Sequence, residues 1–239
     1  MKTQPQSARP FAPFAWMVHL YTACGAVLAL GMATAIMNDR YRTAFFLMVA
    51  ATVIDGTDGA LARLARVKEA TPSFDGARLD DIVDYLTYAF VPALLLVHAQ
   101  LLAPGWGGIG SAAILLSSAY GFAATDAKTD DYFFTGFPSY WNIAALYLFA
   151  AKLPAVLNSV ILLALSVLVF VRIGYIYPSR TPVLRGLTIA LCLVWGLMLL
   201  QIIAKLPEVP ATLLIGSLFF PVYYFVLSLI LQSRRVRQP

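Results

Sequence analysis

The sequence predicts an all-α, polytopic membrane bundle with about eight transmembrane helices and both termini cytoplasmic. Three observations carry that prediction. Of the 239 residues, 60% are hydrophobic and 12% are charged, with a mean hydropathy of +0.77, whereas soluble domains carry about 25% charged residues. The apolar residues come in runs close to the ~20 residues needed to cross a bilayer, at about 14–36, 42–63, 77–101, 108–126, 139–152, 155–176, 186–204 and 210–232. The basic residues alternate in step with those runs. With the N-terminus inside, only Arg40, Arg42, Lys152 and Lys205 of the 17 Lys and Arg fall outside, as the positive-inside rule requires. Losing one span would spoil the alternation, so an even number is favoured.

The first run is too long for the apolar part of a signal peptide and lacks a convincing cleavage site, so it reads as a retained span. The second and third are apolar except for acidic residues near their shared cytoplasmic hairpin. The fourth ends near Asp126. The fifth is short, and Pro154 separates it from the sixth, because proline is tolerated only in the first turn of a helix. The seventh and eighth complete the count. Residues 1–239 read as a single membrane domain with no soluble module, fixed-period repeat or low-complexity segment. The net charge of +5 lies mostly in loop Lys and Arg that meet anionic lipid, not nucleic acid. Cys24 and Cys192 read as small buried hydrophobes. His19 and His98 read as structural and distant from the acids.

Seven of the twelve acidic residues fall between Asp55 and Asp84. One charge at mid-span costs about 2.5–3.5 kcal/mol on insertion scales, so several together need neutralising. Asp55 and Asp58 are three apart and Asp80 and Asp84 four apart, so each pair shares a helix face. The short connection makes the two helices antiparallel, and the four carboxylates converge just inside the cytoplasmic boundary. A solvated loop edge, a transporter's cation pathway and a metal centre are the readings open to such a cluster. Oxygen ligands without Cys or His select a hard divalent ion, Mg²⁺ or Mn²⁺, of the kind that clamps phosphates. Gly56, Gly59 and Gly76 allow close backbone approach, and Arg63 can fork a phosphate.

Asp55, Asp58, Gly59, Ala62, Arg63, Gly76, Asp80 and Asp84 match every fixed letter of the pattern D-x2-D-G-x2-A-R-x8-G-x3-D-x3-D. The chain thereby resembles the CDP-alcohol phosphotransferase family. One departure is the spacer from Arg63 to Gly76, which is longer than the pattern's by about one helical turn. That spacer, Gly56, the segments "DDYFFTGFPSYWN" and "YIYPSRTPVLR", and eight spans rather than six are similar to the bacterial phosphatidylcholine synthase branch.

The resemblance implies a metal-dependent transfer of a phosphatidyl group from CDP-diacylglycerol to choline, releasing CMP, in the bacterial inner membrane with the site facing the cytoplasm. It implies Asp55, Asp58 and Asp80 as metal ligands and Asp84 as shared ligand and general base. Gly59, Ala62, Arg63 and Gly76 line the nucleotide portion of the donor. It also implies Mn²⁺ over Mg²⁺ and a homodimer. Arg180 and Arg185, on the same side, are candidates for the donor phosphates. Choline offers no N–H donor, so aromatic faces must hold it by cation–π attraction. Tyr85, Tyr132, Tyr140 and Trp141 are the candidate walls, with Asp75, Asp81, Asp126, Asp130 and Asp131 peripheral. Serine, inositol or glycerol phosphate as acceptor are the alternatives within the family. A cation-coupled transporter is the alternative outside it, disfavoured because no paired inverted halves are visible.

Overall fold

In the computed structural model, residues 11–127, 129, 131–178 and 180–235 are described. Lys2, Arg9, Lys128, Asp130 and Arg237, counted above, lie outside them. The apolar runs become helices almost where expected: α1 (Ala12–Met37), α2 (Tyr41–Leu64), a one-turn α3 (Val67–Ala70), α4 (Gly76–Asp84), α5 (Val91–His98), α6 (Gly107–Ala123), α7 (Trp141–Ala151), α8 (Ala155–Phe170), α9 (Arg185–Lys205), α10 (Ala211–Ser217) and α11 (Phe219–Arg235). Among the described residues, five stretches are long and apolar enough to cross a membrane: α1, α2, Gly76–His98, α9 and Ala211–Arg235. The helices α6, α7 and α8 are apolar but shorter. At 1.5 Å per residue, α7 is only about 16 Å long.

Two short strands correct the all-helical expectation. β1 (Phe133–Thr135) pairs antiparallel with β2 (Gly174–Ile176), so the sixth apolar run stops being helical at Phe170 instead of continuing to 176. The ribbon is held from outside. The Ser228 hydroxyl accepts from the Ile176 N–H and the Gln232 side chain from the Gly174 N–H. Arg235, at the end of α11, forks onto Asp131 (2.8 and 2.9 Å) and lies over the Phe133 ring.

The α1–α2 pair is the frame of the site. Ala15, Val18, Thr22, Gly25, Ala29, Met32 and Ile36 are buried at alternating spacings of three and four, which is one continuous seam along a helix. Leu20, Val27 and Leu30 face outward and are exposed, as a lipid-facing surface should be. Cys24 is on that outward side, exposed rather than buried, because it falls between two seam positions. Gly25 lets α4 approach: a Cβ there would stand 2.4 Å from Val83 Cγ1.

The helix from Gly76 to His98 is not uniform. Tyr85–Phe90 is a widened π-helical turn. Pro92 follows it, lacking an N–H and pressing on the carbonyl four residues back; a π turn is where a helix absorbs such a defect, and such turns recur at functional sites. This one begins immediately after Asp84.

Among the described residues, ion pairs between elements gather at two ends. At one, Arg42 donates to the Leu206 carbonyl, Lys152 pairs with Glu208, and His98 meets Asp39. At the other, Arg172 pairs with Asp126 and Arg235 with Asp131. The motif hairpin is at this second end.

Candidate active site

Asp55 and Asp58 occupy successive turns near the C-terminal end of α2, and Asp80 and Asp84 sit on α4. The sequence between folds so as to bring them together. α2 ends at Leu64, α3 forms one turn in the lengthened spacer, and the Asp75 carboxylate accepts from the Arg78 N–H to start α4, an ordinary N-cap. Asp75 is thus structural.

One carboxylate oxygen from each of Asp55, Asp80 and Asp84 lies within 4.8 Å of the other two, and all three residues are half-buried. Each like-charged pair at that distance repels by about 3–4 kcal/mol at an effective dielectric of 20. A divalent cation turns that repulsion into attraction. The all-oxygen set suits Mg²⁺ or Mn²⁺, so the residues present fit the implied ion. Two neighbours outside the motif orient the acids. The Tyr88 hydroxyl donates to Asp55 Oδ2 at 2.8 Å from within the π turn. The Thr22 hydroxyl, on α1, donates to Asp58 Oδ2 at 2.8 Å. Asp58 is buried and is not one of the three converging acids, yet it lines the same cavity.

That cavity, about 530 Å³, is bounded by Asp55, Asp58, Gly59, Asp80, Thr129, Tyr132, Tyr177 and Arg180. Arg180 stands 5.6 Å from the Tyr177 ring centroid. The loop after β2 is pinned over the site: the Thr181 hydroxyl donates to the Tyr132 carbonyl (2.9 Å) and accepts from the Tyr177 N–H (2.8 Å). Gly59 is open, with only the Arg63 guanidinium near where a Cβ would be, and Gly56 has nothing within 4 Å. Neither is therefore a helix-packing glycine. Gly76 is one: a Cβ there would meet the His19 ring at 2.7 Å.

His19 thus corrects the expectation that it lies far from the acids. Its ring packs on Phe74 and its Nε2 bonds Thr71 at 2.9 Å, because an antiparallel α1 brings its first turns to the motif hairpin. Its role is structural, as expected. His98, paired with Asp39, is at the opposite end.

Several predicted walls point elsewhere. The Tyr85 hydroxyl donates to the Leu115 carbonyl on α6. Trp141 is fully buried and donates to Ser118. Tyr140 turns toward Tyr224, and Arg185 is exposed at the start of α9. None of the four lines this cavity, nor do Ala62, Arg63, Gly76 and Asp84; Tyr132 and Arg180 do. Thr22, Tyr88 and Thr129 were not expected as parts of the site, but Thr22 is the polar member of the α1 seam, a signal visible in the sequence.

No family model matches the chain. The phosphatidylcholine synthase of Rhizobium meliloti (strain 1021) is 34% identical over 93% of this chain and 93% of its own length. That of Pseudomonas aeruginosa is 36% identical over 89% of each. The chain belongs to the phosphatidylcholine synthase family. The Legionella bozemanae member is 46% identical over 66% of this chain and 72% of its own length.

The Thr22–Asp58 bond gives a test of the site's support. Thr22→Val keeps the side-chain shape and removes the donor, leaving a buried carboxylate oxygen short of one hydrogen bond, at a cost of about 1–3 kcal/mol. The expected result is a roughly tenfold or larger fall in kcat/KM, with Thr22→Ser close to wild type. Equal activity of the Val and Ser variants would separate Thr22 from the site.

Proposed function

We propose that this family member transfers the phosphatidyl group of CDP-diacylglycerol to choline, releasing CMP, at the cavity between α2, α4 and the ribbon loops. The observation that carries the reading is the convergence of Asp55, Asp80 and Asp84, two of which, Asp55 and Asp80, line a cavity that also holds Arg180. Carboxylates gather the cation and an arginine meets the diphosphate.

In this reading Asp84 accepts the proton of the choline hydroxyl as its oxygen attacks the phosphorus bearing diacylglycerol. The bond from that phosphorus to the CMP oxygen breaks, and phosphatidylcholine, CMP and one proton result. Asp55, Asp80 and Asp84, with Asp58 as a further ligand, would hold a divalent cation, which would neutralise charge on the departing CMP phosphate. Arg63, folded over the open Gly59, and Arg180 hold donor phosphates. Gly76 serves the nucleotide indirectly, by letting His19 close the hairpin. The donor's acyl chains stay in lipid while its headgroup enters the cavity.

We also infer eight crossings, with both termini on the side of the site, in one catalytic domain of a bacterial inner membrane facing the cytoplasm. The division of ion pairs between two ends supports this: α7 ends at Lys152 beside Glu208, and α8 returns to the ribbon. The basic residues support it too, since Arg63, Arg66, Arg172, Arg180 and Arg235 fall at the site's end.

The test is CMP release from CDP-diacylglycerol by purified protein given choline, serine, inositol or glycerol phosphate. Choline alone should release CMP above background. Release with serine and not choline would overturn the assignment.

A further inference from the structure

A second cavity adjoins the first. It measures about 330 Å³ and lies between α4, α6 and β1, with Asp80, Asp81, Phe122, Phe134 and Phe137 among its lining residues. That is the small end of the range for ligand cavities, about 300–1,000 Å³. We propose that this cavity holds the quaternary ammonium of the acceptor alcohol, with Phe122, Phe134 and Phe137 as aromatic walls and Asp81 as counter-charge. The proposal rests on the choline reading above and places the acceptor away from the aromatic residues expected from sequence.

The argument is electrostatic and geometric. A quaternary ammonium has no N–H, so only π faces and negative charge attract it; both are here. No Lys or Arg lines this cavity among the described residues, whereas the first cavity has Arg180. A cation is accepted in one and an anionic diphosphate in the other. Asp80 lines both cavities, so an alcohol seated in the second reaches the acids that border the first. The partition is a ring pair, Phe134 on Tyr177 with centroids 4.7 Å apart, each ring lining its own cavity. Tyr85 has an indirect place in this arrangement, set edge-on to Phe122 at 6.0 Å. Asp81, at a variable position of the motif and absent from the converging triad, thereby acquires a role the mechanism does not otherwise give it.

The experiment measures KM for choline and for CDP-diacylglycerol in Asp81→Asn, Phe134→Leu and Ala77→Leu. Ala77 lines the cavity from an exposed helical position, so its variant narrows the space without disturbing the core. The expected result is a choline KM raised about tenfold or more, with the CDP-diacylglycerol KM within about twofold of wild type. Asp81→Asn should also narrow the preference for choline over 3,3-dimethylbutan-1-ol, its uncharged isostere. An unchanged choline KM in folded Asp81→Asn and Ala77→Leu overturns the proposal, as does a loss confined to the CDP-diacylglycerol KM. Absence of choline-dependent CMP release in the wild type would instead overturn the function itself. Should Phe134→Leu not fold, the other two variants decide.

Discussion

Asp84→Asn is expected to lower kcat by about three orders of magnitude while the protein keeps part of its affinity for a divalent cation. The two effects separate because the proposed mechanism gives the side chain two jobs. As a ligand it offers an oxygen, and an amide oxygen remains one, though weaker without its charge. As a base it must take the proton from a choline hydroxyl, which an amide cannot do; a positioned general base contributes about 10²–10⁴ in rate. The position fits both. Asp84 shares the triad with Asp55 and Asp80 and stands at the last residue before the π turn, where the backbone carries it toward α2. The measurements are single-turnover CMP release at saturating Mn²⁺ and Mn²⁺ binding followed by electron paramagnetic resonance. A variant that binds the ion and turns over within about tenfold of wild type removes the base assignment.

The helical bundle was legible because its signals are one-dimensional. Apolar runs of bilayer length and the placement of Lys and Arg are properties of contiguous sequence, and α1, α2 and α9 start and stop within about two residues of the expected limits. The ribbon was not legible. Phe133–Thr135 and Gly174–Ile176 are three residues each, and apolar residues at 170–176 look the same whether they extend a helix or form a buried strand. What selects the strand is remote: β1 as partner and Ser228 and Gln232 on α11 as acceptors.

The motif aspartates were legible because helical spacing alone puts each pair on one face. Their orientation was not, since it depends on contacts between elements far apart in the chain. Thr22 reaches Asp58 across 36 residues and Tyr88 reaches Asp55 across 33. Tyr85 illustrates the converse. Its neighbour Asp84 is in the triad, but adjacent helical residues point about 100° apart, and Tyr85 is turned onto α6. Adjacency in sequence does not place Tyr85 on the cavity that Asp55 and Asp80 line; the cavity beside Asp81 comes from α6 and β1 meeting α4.

Stripping the enzyme of divalent cations should reduce CMP release to background, and adding Mn²⁺ or Mg²⁺ back should restore it. Without the ion, the three half-buried carboxylates repel one another by about 3–4 kcal/mol per pair, and the donor's diphosphate would add further negative charge beside them. Arg180 on the cavity wall and Arg63 beside Gly59 cannot offset that sum. With the ion, the same charges become ligands. The family resemblance favours half-maximal activation at a lower concentration of Mn²⁺ than of Mg²⁺. Asp80→Asn should not be rescued at any concentration, because Asp80 is both in the triad and on the boundary of both cavities. Tyr88→Phe is the graded case. It removes one hydrogen bond to Asp55 and leaves the carboxylate in place, so the cation requirement should rise severalfold, while kcat at saturating ion stays close to wild type. Activity that persists in excess chelator would mean that these acids do their work without a metal among them; a Tyr88→Phe enzyme with an unshifted cation requirement and a lowered kcat would mean that Tyr88 acts on the chemistry and not on the ligand Asp55.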